Sequence, residues 1–110
     1  MLAGHLKLNN FIVLVDYNKI SSITDTNKVV NLEPLSDKFS SFGFNSVEVD
    51  GHNVNSIHEE IVNRNKDKPL ALICHTVKGK GISFAENEPI WHYRTLTDEL
   101  YAQAVKELKN

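Results

Sequence analysis

Three polar segments of this chain hold the side chains that could do chemistry. In Asp16-Tyr17-Asn18-Lys19-Ile20, Asn18 offers a hard amide oxygen where an apolar run gives way to a turn with exposed carbonyls. Mg²⁺ takes such oxygens, with waters and a substrate phosphate completing its octahedron. An asparagine in a turn equally serves to hydrogen-bond its own backbone, and both readings stand at this point. Lys78-Gly79-Lys80-Gly81 pairs cations with glycines, which let backbone N–H groups approach an anion closely. It lacks Walker A spacing and does not match GxGxxG, so a solvated basic loop fits it as well. His92, between Trp91 and Tyr93, suits proton transfer or phosphate contact because imidazole titrates near neutrality; packing is the plainer role. His75 directly follows an apolar run. None of the five histidines is spaced for zinc, and the one cysteine, Cys74, sits inside that run as an inert thiol.

The elements that must position these residues are legible from periodicity. Phe11 to Val15 is continuously apolar and predicts a strand buried on both faces; Leu70 to Cys74 predicts another. Phe44 to Val49, bounded by Gly43 and Asp50-Gly51, predicts a third strand. Met1 to Leu8 reads as the tail of a helix, and residues 19–31, rich in Ser, Thr, Asn and Asp, as a long surface loop. Pro34 suits the first turn of a short helix over Glu33 to Phe42, stopped by Gly43. Asn53 is placed to cap a helix whose stripe is Val54, Ile57, His58, Ile61 and Val62. Ile82 to Arg94 has no clean period. Thr95 with Asp98 then resembles a capping box for a last helix with the stripe Leu96, Leu100, Ala104 and Leu108.

Strand and helix alternate three times, the pattern of an α/β fold: a three-layer, doubly wound, mostly parallel sheet with right-handed crossovers. That geometry gathers the strand ends Asp16-Tyr17-Asn18, Asp50-Gly51-His52 and His75-Thr76 on one edge, where open α/β sheets bind ligands.

The 110 residues suit a single small domain, and 41% hydrophobic with 24% charged residues excludes disordered and collagen-like classes. A net charge of -2 gives no basic footprint for nucleic acid. The apolar runs are far shorter than the roughly 20 residues of a membrane span, and the first ten residues lack the pattern of a signal peptide. A lone cysteine suits a reducing cytosol, so a cytoplasmic protein is expected.

Taken together, HLKLNNFIVLVDYNKI, NLEPLSDKFSSFGFNSVEVDGHN, KPLALICHTVKGKGISFAENEPIWH and ELYAQAVKEL resemble the transketolase family of thiamine diphosphate enzymes. The resemblance covers the later half of the N-terminal, pyrophosphate-binding domain, in order and across nearly the whole chain. It implies two-carbon ketol transfer between sugar phosphates, with thiamine diphosphate and Mg²⁺ at the strand ends. In transketolases an Asp of an upstream Gly-Asp-Gly, the Asn of the turn and the carbonyl two residues on hold the metal; the last two carry over to Asn18 and Ile20. The resemblance also places Lys78 and Gly79 beside the cofactor and makes His92 the histidine that approaches diphosphate and substrate, although Tyr93 stands where many transketolases have glycine. No Gly-Asp-Gly occurs in the 110 residues. The expectation is therefore a fragment or one piece of a split enzyme. Its partners would be the front half of the domain and a pyrimidine-binding chain, in a homo- or hetero-oligomer. The rival expectation is a non-catalytic association module that kept the fold.

Overall fold

A run with no polar face is satisfied only between two neighbouring strands and two covered faces, and Leu70 to Cys74 takes that place. In the computed structural model, which describes residues 1–109, β1 (Ile12–Tyr17), β2 (Asn45–Asp50) and β3 (Leu70–His75) form an open sheet in the order β1-β3-β2. Both pairings are parallel, and Leu70, Ala71, Leu72 and Ile73 are fully buried. The α/β class and the parallel sheet are as expected.

The chain divides into two compact units, residues 1–17 with 32–76 and residues 18–31 with 77–109. The first unit contains the sheet and is layered on both faces. On one face Ile12, Val47 and Val49 pack with Leu70, Leu72 and Cys74 against Ile57 and Ile61 of α4 (Val54–Asn63). On the other, α3 (Leu35–Ser41) is tied down by the Ser36 hydroxyl, which donates to the Ser46 hydroxyl at 3.1 Å. The Asn53 side chain caps α4 as expected, accepting from Ser56 N–H at 3.1 Å. Gly43, at φ 89°, ends α3: its N–H bonds to the Ser40 carbonyl and that of Phe44 to the Phe39 carbonyl, the paired closure of a left-handed helix stop. The short α1 (Leu2–His5) opens the unit.

Three expectations change here. β1 is an edge strand with Leu14 54% exposed, so it is not buried on both faces; an apolar run specifies a strand but not its place in the order. The stripe of α4 is narrower than predicted, because Val54 and Val62 are exposed while Ile57 and Ile61 carry the packing. Pro34 precedes α3 as its cap residue instead of lying in its first turn.

In the second unit, residues 18–31 are not one loop. Ile20 bridges Asp25 in antiparallel fashion, and α2 (Thr26–Val29) follows. Pro89–His92 forms a 3₁₀ turn inside the segment predicted to be irregular. The final helix, α5 (Asp98–Leu108), is capped by Thr97, whose side chain accepts from Leu100 N–H at 3.3 Å; the predicted cap at Thr95 lies two residues too early. Ala104 is buried, while Leu96 and Leu108 of the predicted stripe are exposed. Glu107 of α5 accepts from Ser83 N–H at 2.6 Å and from the Ser83 hydroxyl at 2.8 Å. Among the described residues no helix is long and apolar enough to cross a membrane.

Candidate functional site

Parallel pairing makes the three strands end level. Tyr17 and Asp50 are both register partners of His75, so the carboxyl ends of β1, β2 and β3 share one edge, as the handedness argument required. The chain passes from Tyr17 directly into Asn18, and from β3 through Thr76 and Val77 into the KGKG segment.

The turn after β1 is held tightly. Asn18 Oδ1 accepts from Ile20 N–H at 2.9 Å, and Lys19 between them takes a left-handed φ of 62°. The Lys19 carbonyl is fully engaged, accepting from Thr26 N–H at 2.9 Å and from the Thr26 hydroxyl at 3.2 Å. The Ile20 carbonyl, by contrast, accepts no hydrogen bond among the described residues. Asn18 does make the turn bond that asparagine commonly makes. One lone pair of its amide oxygen and the Ile20 carbonyl are nonetheless left over, and both are the hard oxygens that Mg²⁺ prefers. Among the described residues no group of three His, Cys, Asp or Glu could hold a metal.

The KGKG segment is a turn that satisfies much of its own backbone. Lys80 N–H donates to the Val77 carbonyl, Ile82 N–H to Gly79, and Gly81 N–H to the Glu86 carboxylate at 2.9 Å. Gly79 is required by geometry alone. Its φ is 73°, and a Cβ there would meet the Ala85 carbonyl oxygen at 2.4 Å. Among the described residues an anion is therefore left the N–H groups of Lys78 and Gly79 and the half-buried Lys78 side chain, not a ring of free amides. His92 is exposed at the end of the 3₁₀ turn and has no partner among the described residues. Asn18, Ile20, Lys78, Gly79 and His92 all belong to the second unit, but among the described residues no hydrogen bond or ion pair joins Asn18 or Ile20 to the other three.

The sequence reading missed a network in the first unit, at the edge where the strands end. The buried Tyr17 donates its hydroxyl to Glu33 Oε1 at 2.7 Å, its ring lies 5.6 Å from that of His75, and His75 Nε2 meets Glu48 Oε2 at 2.7 Å. The Thr76 hydroxyl donates to Asp16. The hydrogen bond to the Glu33 carboxylate, reinforced by burial, pushes the Tyr17 phenol up to about 12. Burial likewise raises the Cys74 thiol, in keeping with an inert role. No sequence signal pointed to this network: Tyr17 and His75 meet through the register of β1 with β3, and Glu33 lies 16 residues beyond Tyr17. Two hollows of the first unit, of about 600 and 530 Å³, open beside Gly4 and Gly43 and include none of the five predicted residues.

The family description "Transketolase, thiamine diphosphate binding domain" matches residues 1–109. The chain belongs to that family. A 6-deoxy-6-sulfo-D-fructose transketolase subunit of Clostridium sp. (strain MSTE9) is 38% identical over 99% of this chain and 40% of its own length. An apulose-4-phosphate transketolase subunit of Phocaeicola vulgatus is 33% identical over 98% of this chain and 39% of its own. Among solved structures, a transketolase from Campylobacter jejuni superposes with a TM-score of 0.87 at 30% identity, covering 98% of this chain and 17% of that one. This transketolase-family chain thus spans about two fifths of the two curated subunits it matches.

Proposed function

We propose that this chain is part of a thiamine diphosphate- and Mg²⁺-dependent transketolase-type enzyme that moves two-carbon ketol units between anionic sugars such as sugar phosphates. The match to the thiamine diphosphate binding domain over residues 1–109 carries the reading. Asn18 Oδ1 and the Ile20 carbonyl would hold the metal, the first through the lone pair its turn bond leaves over and the second through an oxygen that no donor among the described residues occupies. Lys78 and the Gly79 N–H would neutralise the diphosphate end. His92, exposed and unengaged, would contact the diphosphate and the substrate and hold or pass a proton there. The bound cofactor supplies the carbon nucleophile for breaking and making carbon–carbon bonds, while the protein binds, orients and excludes water.

Metal holding needs at least one more ligand than the turn provides, and the aspartate of a Gly-Asp-Gly is the missing member in this reading. Its partners are accordingly the region equivalent to the front of the domain and a pyrimidine-binding chain, in a homo- or hetero-oligomer. A reducing cytoplasm suits the buried, unpaired Cys74.

Calorimetric titration with thiamine diphosphate and Mg²⁺, on the chain mixed with a transketolase segment bearing Gly-Asp-Gly, tests the proposal. Saturable binding is expected, weakened at least about tenfold by Asn18→Ala, the loss of one charge-assisted contact. Absence of binding in every mixture would sink it and leave the association module as the better account.

A further inference from the structure

We propose that Arg94 recognises the oxyanion tail, phosphate or sulfonate, of the sugar handled by this protein. The inference rests on the ketol-transfer reading above and adds the residue that would select an anionic substrate. The chain has two arginines, and they are used differently. Arg64 is half-buried and donates Nη1 to the Ile61 carbonyl at 2.8 Å, serving the end of α4. Arg94 is exposed, and no carboxylate pairs with it among the described residues.

Its guanidinium is nevertheless held in place. The guanidinium carbon lies 6.0 Å from the Trp91 ring centroid. That indole is fixed in turn by its N–H, which donates to the Phe84 carbonyl at 2.8 Å, and by the Phe84 ring at 5.1 Å. The Arg94 backbone is fixed as well, its N–H donating to the Ile90 carbonyl at 3.2 Å. An aromatic beneath a guanidinium leaves the N–H fork at its edge free, and that fork matches a tetrahedral oxyanion bidentately. Support from the indole also lowers the entropy lost when the anion binds, a loss that makes an unsupported surface arginine a poor receptor. Arg94 follows His92 by two residues in the same unit, so the receptor sits on the segment assigned to substrate contact.

Trp91 is the chain's one tryptophan, so its fluorescence reports on the platform. The full chain is titrated with fructose 6-phosphate, with fructose and with thiamine diphosphate. The expected result is a saturable change in Trp91 emission with fructose 6-phosphate and none with fructose. Arg94→Ala should weaken that binding by about tenfold or more, and Arg94→Lys by less, because lysine keeps the charge and loses the fork. An Arg94→Ala response equal to that of the unaltered chain overturns the inference, as does an equal response to fructose. An Arg94-dependent response to thiamine diphosphate alone also overturns it, by giving the anion to the cofactor. If calorimetry shows cofactor binding that depends on Asn18 while Arg94→Ala changes nothing, only this inference fails. If the sugar phosphate effect stands without cofactor binding, only the ketol-transfer reading does.

Discussion

Asn18 and Tyr17 are neighbours whose roles were unequally visible. An asparagine directly after an apolar strand announces turn chemistry, and the bond from Ile20 N–H to its side chain is that chemistry. The free carbonyl of Ile20 could not be read from any side chain; it emerges from the left-handed Lys19, whose own carbonyl is spent on Thr26. Tyr17 looked like part of the same polar cluster, yet it turns to the sheet edge because Glu33, 16 residues on, accepts its hydroxyl. Its phenol is raised to about 12, so the folded state holds the proton more tightly than the unfolded chain does. The resulting stability is fully present below the ordinary tyrosine range near 10 and is lost as pH rises through about 12. Absorbance titration of the three tyrosines should show a late phase that Tyr17→Phe removes. A Tyr17 that titrates with the others would disprove the Glu33 contact.

At the scale of elements, hydrophobic pattern identified all three strands but could not rank them. Phe11 to Val15 and Leu70 to Cys74 are equally apolar, and only the order β1-β3-β2 makes one an edge and the other the centre. Leu72→Ala, in the fully buried central strand, should therefore cost about 2–5 kcal/mol in denaturant unfolding. Leu14→Ala, half-exposed on β1, should cost less than about 1 kcal/mol, and equal losses would refute the strand order. The cap of α5 was misplaced because Thr95 and Thr97 are both good cap residues, and tertiary context chooses Thr97. Nor did the sequence point to the latch at the other end of α5. Hydrogen bonds from Gln103, then from Ser83 N–H and the Ser83 hydroxyl, hold the Glu107 carboxyl below the usual carboxylate range. A depressed carboxylate stabilises above its unfolded value and loses that contribution as pH falls through the folded one. Hydrogen exchange at the Ser83 amide should lose protection on acidification through this range, and Glu107→Gln should abolish the pH dependence. Protection indifferent to pH would rule the latch out.

For the whole molecule, fold and family were readable because the ordered succession of motifs is long, although no single motif was specific. The candidate site was readable only in part. Its residues are distributed over the turn after β1, the KGKG segment and the 3₁₀ turn, three separate stretches that no one short motif spans. In the proposed reading, this chain, which spans about two fifths of the related subunits, would offer two metal oxygens, one lysine and one histidine to a site completed by an aspartate from elsewhere. In the proposed enzyme these residues meet one cofactor. Backbone amide NMR of the labelled chain, mixed with a transketolase segment bearing Gly-Asp-Gly and titrated with thiamine diphosphate and Mg²⁺, tests it most directly. Cofactor-dependent shifts are expected at Asn18 to Ile20, Lys78 to Gly79 and His92. Cofactor-dependent shifts confined to the hollows beside Gly4 and Gly43, or none at all, would contradict it.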